Sequence, residues 1–238
     1  MGSYFDGTRF VTRIGQILPY VFINFKMVFW AMLLGTILAV FVAILRIKKI
    51  PIVNQLLLVF ISFMRGTPLL VQMCLAFYGI PIIFGKLLLN VFGINLNRLD
   101  AYSFVIIAFI LNEAAFLGEI FRSAILAIPV LQTEACYSIG MTKSQTLFRV
   151  VLPQAVHVAI PQYGADLIGV FHNTSIAFTL GVLDMMARAK TLGVSTGHTI
   201  EGFVVVALIY IVISLALKGL FKVLEKKLEF GRGWVYGI

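Results

Sequence analysis

Charge is scarce in this 238-residue chain. Asp, Glu, Lys and Arg together make up 12% of it, about half the share of a soluble domain. That excludes a water-facing globular surface. The acids are scarcest, 10 against 19 basic residues. In a soluble chain the net charge of +9 would point to nucleic acid, but here the basic residues bracket apolar runs, as loop cations of a membrane protein do, so no nucleic-acid partner is expected. Cysteine is nearly absent: Cys74 and Cys136 are too few for a disulfide framework, and neither has metal-ligand spacing. The three histidines are far apart, there is no HExxH, and no GxxxxGK[ST] loop exists to cradle a nucleotide. No metal, cofactor or catalytic residue is therefore expected. The first 19 residues hold Asp6, Arg9 and Arg13 without a long apolar core, so no cleavable signal peptide is read there.

What the chain has instead is hydrocarbon, 61% hydrophobic residues with mean hydropathy +1.01. This predicts an all-α integral membrane protein, one domain over 1–238, with about five spans near 21–45, 54–80, 101–121, 154–180 and 203–221. Twenty-five residues rising 1.5 Å each give the first span roughly 37 Å. Gly35, Ala39 and Ala43 lie four apart on it, a stripe that lets another helix approach closely. In the second, Gly66-Thr67-Pro68 predicts a break, and Arg65 reads as a snorkelling interfacial cation. Pro161 predicts a second break in the fourth span. Gly85–Asp100 and Asp184–Glu201 read as outer loops. Eleven basic residues then fall on one side (Arg46, Lys48, Lys49, Arg122, Lys143, Arg149, Lys218, Lys222, Lys226, Lys227, Arg232) and six on the other (Arg9, Arg13, Lys86, Arg98, Arg188, Lys190). That bias predicts an outer N-terminus and a cytoplasmic C-terminus.

Between the third and fourth spans lies a polar stretch, residues 129–153, too short and too polar to cross a bilayer. A short helix is expected from about Pro129, ended by Gly140 in the left-handed conformation. Thr142 and Gln145 have capping-box spacing, so a second helix starts at once. The product is a knuckle of two helices, shaped to fill a groove on a partner.

The knuckle carries a resemblance. Glu134, Ala135, Gly140, Leu152 and Pro153, spaced Glu-Ala-x4-Gly-x11-Leu-Pro, resemble the coupling loop of permease subunits of bacterial ABC importers, with Cys136 where a second Ala is usual. Arg65-Gly66-Thr67-Pro68-Leu69-Leu70-Val71-Gln72 resembles the polar-amino-acid subfamily, as do Asn112, Glu119 and Arg122 in the third span and Leu152-Pro153-Gln154-Ala155 opening the fourth. Glu113 departs from the pattern, as do His172 and Asn173, which stand where the family has Lys-Asp before Thr174 and Ser175.

The resemblance implies a type I ABC importer fold working by alternating access. It implies partner nucleotide-binding ATPase subunits that hold the ATP and Mg, a second permease subunit, an extracytoplasmic substrate-binding protein, and a polar amino acid moving through a cell membrane. Asn112, Glu113, Asp166, His172, Asn173, Thr174 and Ser175 are the candidate substrate residues. Glu113 or Asp166 suits an ammonium, while Thr174, Ser175 and Asn173 suit a carboxylate. The neutral His172-Asn173 pair favours cystine or another neutral amino acid; Glu113 and Asp166 equally suit a basic one. A helix-surface ion pair is the plainer reading of Glu119 with Arg122, and an interfacial side chain that of His172. A membrane-embedded enzyme would need its polar residues to converge on one centre. A secondary transporter would need no coupling loop.

Overall fold

The computed structural model describes residues 6–229, so Arg232 lies outside the described part. The described chain is helical, without strands. α1 (Gly7–Ile17) starts at Asp6, whose carboxylate accepts the N–H groups of Thr8 and Arg9. After a 3-10 turn it runs on into α2 (Val21–Lys48), which ends at Lys49 with φ +52°. α3 (Pro51–Gly66) then stops at Thr67-Pro68, both extended, as the sequence predicts. α4 (Leu69–Cys74), a π-helical turn at Leu75–Gly79 and α5 (Ile80–Phe92) form one apolar rod. α6 (Ala101–Leu126) is capped by Asp100, and α7 (Val130–Ser138) and α8 (Lys143–Thr146) follow. A second π-helical turn, Leu147–Val151, leads into α9 (Leu152–Asn173), extended by a 3-10 stretch, Thr174–Leu180. α10 (Met185–Thr196) and α11 (Ile200–Glu229) complete the chain.

Four of these stretches are long and apolar enough to cross a membrane: Gly7–Lys48, Leu69–Phe92, Ala101–Leu126 and Ile200–Lys227. The stretch from Lys143 to Leu180 bends by 48° into α10 and makes a fifth if the pair counts as one span. Helices suit this setting because they satisfy every internal backbone hydrogen bond within one segment.

Three expectations change, and one element is new. The second span is not 54–80: the break puts α3 outside it, and the rod continues to Phe92, through half of the stretch read as a loop. Pro161 does not break α9, which passes through it with Pro161 exposed; one missing backbone donor is tolerable where neighbouring helices hold the rod. Asp184–Glu201 is mostly helix α10, capped by the Asp184 carboxylate accepting from Ala187 N–H at 2.8 Å. The first residues, too polar to be read as a core, make amphipathic α1, with Arg13 and Ile17 buried.

α2 and α6 pack most extensively, forming the centre of the bundle. The small-residue stripe of α2 is buried there, as expected. A Cβ on Gly35 would stand 2.6 Å from Glu113 Cβ, so only glycine fits. α9 lies against α6 and α11. The faces with Phe22, Phe29, Phe41, Ile82 and Val212 stay exposed, as lipid-facing surfaces of a spanning bundle do.

Candidate functional site

Two sites emerge, one at mid-bundle and one on the knuckle. At mid-bundle, Glu113 on α6 and Asp166 on α9 interact across the packed faces of the two helices. Two carboxylates offer acceptors only, so side by side neither supplies the other a hydrogen. Glu113 Oε2 and Asp166 Oδ2 are buried with no partner atom. Beside Asp166 opens a cavity of about 500 Å³, lined by Arg65, Phe116, Glu119, Ser123, Gln162 and Gly169 among others. Arg65 lies over the Phe116 ring, 5.3 Å from its centroid. It stands exposed in the last turn of α3, a place compatible with a helix-end cation. From Pro51, next to Lys48 and Lys49, α3 climbs fourteen residues to it, about 21 Å at 1.5 Å each.

Asn112 is not free to meet a substrate. Its Nδ2 donates to Gln72 Oε1 at 2.9 Å, and Gln72 Nε2 donates to the carbonyls of Met64 and Thr67 at 2.7 and 3.0 Å. Gln72 thus satisfies carbonyls released where α3 stops, and Asn112 holds it in place, so the break is rigid. Sequence reading missed Gln72, although an amide four residues beyond a helix-breaking proline is a signal for that role.

Thr174 is also committed. It is fully buried with Asn24, whose Nδ2 donates to Thr174 Oγ1 at 2.8 Å, Tyr210 OH at 3.1 Å and Asp184 Oδ2 at 3.3 Å. Met185 N–H returns to Asn24 Oδ1 at 3.3 Å. This network ties α2, α10, α11 and the 3-10 stretch together. His172 and Ser175 lie apart from the acidic pair, lining a smaller cavity of about 270 Å³ with Tyr210, Phe203 and Met186. His172 Nε2 and Ser214 Oγ are 2.7 Å apart, and Asn173 is exposed. Of the seven candidates, then, Glu113 and Asp166 come together and the rest do not join them.

Below this level, Glu119 is gripped by Arg122 at 2.7 Å and Arg46 at 3.2 Å, and Arg46 also bonds Asn54. The expected Glu119–Arg122 pair is therefore part of a wider tie between α2, α3 and α6.

On the knuckle, Gly140 has φ +83°, and the N–H of Met141 reaches back to the Cys136 carbonyl at 3.0 Å. That 6→1 bond is how a left-handed glycine closes a helix. The capping box is complete: Gln145 N–H donates to Thr142 Oγ1, and Thr142 N–H to Gln145 Oε1. Gln154 Nε2 donates to Gln132 Oε1 at 2.6 Å, strapping α9 to α7. Glu134, Ala135 and Gly140 are exposed, Leu152 is half-buried and Pro153 exposed. Val130, Leu131, Ile139 and Phe148 add exposed apolar surface. Among the described residues no three His, Cys, Asp or Glu side chains converge as metal ligands, and both cysteines are free.

Residues 32–230 match the family described as binding-protein-dependent transport system inner membrane component. The L-cystine transport system permease protein TcyL of Bacillus subtilis is 37% identical over 223 residues, covering 92% of this chain and 91% of that protein. The probable amino-acid ABC transporter permease protein PatM of Vibrio harveyi is 39% identical, covering 87% and 88%. The histidine/lysine/arginine/ornithine permease protein HisM of Escherichia coli K12 is 30% identical, covering 87% and 88%. Among solved structures, an amino acid ABC transporter with histidines superposes with TM-score 0.81 at 27% identity, covering 94% of this chain and 99% of its own. The inward-facing MetNI methionine ABC transporter, at 15% identity and TM-score 0.65, shares the fold. The chain therefore belongs to the binding-protein-dependent transport system inner membrane component family, as a multi-pass, non-catalytic permease subunit of the ABC importer class with the type I fold.

Proposed function

We propose that this permease carries an amino acid across the bacterial cell membrane, with its N-terminus outside and its C-terminus cytoplasmic. The observation that carries the reading is the acidic pair at the 500 Å³ cavity, half-buried Asp166 on its wall and buried Glu113 behind it. Ionisable groups at membrane depth are costly to keep and mark substrate pathways, and an ammonium group supplies the N–H donors that two adjacent acceptors lack. Cystine or another neutral amino acid is the first candidate, since TcyL is an L-cystine permease. A basic amino acid is next, since HisM belongs to a histidine/lysine/arginine/ornithine system.

Coupling runs through the knuckle. Glu134 and the exposed apolar side chains dock on a nucleotide-binding ATPase subunit, which holds the ATP and Mg. The Gln154–Gln132 strap passes its movement into α9, the helix that carries Asp166. A second permease subunit completes the pathway, and a soluble binding protein delivers the amino acid to the outer face. The test is reconstitution in liposomes with the candidate ATPase and binding protein, screening amino acids for stimulated ATP hydrolysis. One amino acid should stimulate, and Glu134→Ala should abolish its effect. A complex that forms but answers to no amino acid would remove the substrate reading, and failure to form any complex would remove the coupling reading.

A further inference from the structure

The charges on the mid-bundle cavity are unevenly committed. Glu119 is already held by two arginines. Arg65 is not: among the described residues it has no acidic partner, and its contact is the Phe116 ring. It stands exposed in the last turn of α3, about 21 Å along that helix from Lys48 and Lys49. An arginine with no anion of its own keeps its N–H donors for a ligand. Its side chain lines the same cavity as Asp166. Phe116 holds the guanidinium by its face, which leaves the in-plane N–H donors free for a planar anion.

We infer that Arg65 is the carboxylate subsite of the permease, so that the cavity reads an α-amino acid from both ends: carboxylate on Arg65 and ammonium on Asp166, with buried Glu113 behind it. The guanidinium fork matches a carboxylate with two parallel bonds. The Gln72–Asn112 anchor holds the turn that follows Arg65, through the Met64 and Thr67 carbonyls, and so sets where the fork stands. Thr174, already bonded within its own network, is not needed for this role. Ser123 and Gln162, neutral hydrogen-bonding groups on the same wall, are left for the side chain of the substrate. The inference rests on the amino-acid reading above and adds to it which group recognises the carboxylate.

The test is equilibrium binding to the purified permease–ATPase complex in detergent, without the binding protein, which would impose a selectivity of its own. Radiolabelled L-cystine and L-arginine are the probes, and L-cystine diamide, L-arginine amide and agmatine, which lack the carboxylate, are the competitors. The wild type should favour the carboxylates by about tenfold or more, the value of one charge-assisted hydrogen bond. Arg65→Gln should bring acid and amide to equal affinity, and Arg65→Lys should keep part of the preference. Unaltered preference in Arg65→Gln, with a monodisperse complex, would overturn the assignment. So would loss of the second permease copy from that complex, which would place Arg65 at a contact between copies. If neither probe binds the wild type and no amino acid stimulates it in liposomes, the amino-acid reading fails and this one falls with it.

Discussion

The outer network around Asn24 and the mid-bundle pair Glu113–Asp166 are both polar groups sunk in a membrane bundle, but they are built differently. Asn24, Thr174, Asp184 and Tyr210 hydrogen-bond one another across four elements. Glu113 and Asp166 have each other, and each keeps a buried oxygen with no partner. A satisfied network holds helices at a fixed register and has little capacity left for a ligand. An unsatisfied one contributes little to stability and retains acceptors for a group from outside. The contrast separates structural from functional polarity better than depth or residue type does.

The comparison breaks most visibly at Asn24. Asn24→Ala should strand Asp184 Oδ2 and the hydroxyls of Thr174 and Tyr210, lowering stability by about 3 kcal/mol. Thermal unfolding of the purified protein measures this, and a loss no larger than that of an exposed substitution would dismiss the distinction. At mid-bundle the expectation inverts. Glu113→Gln and Asp166→Asn each introduce a donor between the two side chains, so stability should change by less than about 1 kcal/mol. Uptake should still fall about tenfold or more, because an ammonium loses a charged acceptor. Unchanged affinity and rate in both variants would end the substrate reading.

The smallest effect belongs to an exposed carboxylate. Asp100 caps α6 with its carboxylate, accepting from the Ser103 hydroxyl at 2.6 Å and its N–H at 3.0 Å. The Ser103 hydroxyl bond, outweighing partial burial, lowers the Asp100 pKa below the ordinary 3.8. A carboxylate with a depressed folded value stabilises the fold above its unfolded value, and loses that contribution as pH falls through the folded one. Asp100→Ala should therefore cost about 1 kcal/mol at neutral pH. The gap between variant and wild type should narrow in melts below the ordinary carboxylate range, and a gap that widens in acid would contradict the sign.

Local chemistry was legible in the sequence, and distance was not. Gly140, Thr142 and Gln145 specify the knuckle within a few residues of themselves, so its corner and capping box are as expected. The stop at Thr67-Pro68 is local in the same way. α10 had a signal that was passed over: Asp184 before Met-Met-Ala, with Gly197 closing the helix. Pro161 misled because the propensity of one residue was outweighed by the packing of a long helix in its bundle. The meeting of Glu113 with Asp166 joins residues more than fifty apart, and the pairing of Gln72 with Asn112 forty apart. No motif spacing reports those.

Gly35 has a further consequence, for the substitution history of the chain. Its missing side chain is the floor on which Glu113 stands, with 2.6 Å left for any Cβ. The atom in the way is the Cβ of residue 113, which every residue but glycine carries, so a lineage that gains even alanine at 35 must draw α2 away from α6 whatever side chain stands at 113. Position 35 is therefore expected to stay glycine across related permeases while the end group at 113 varies, because what it preserves is the spacing of two backbones and not the acid.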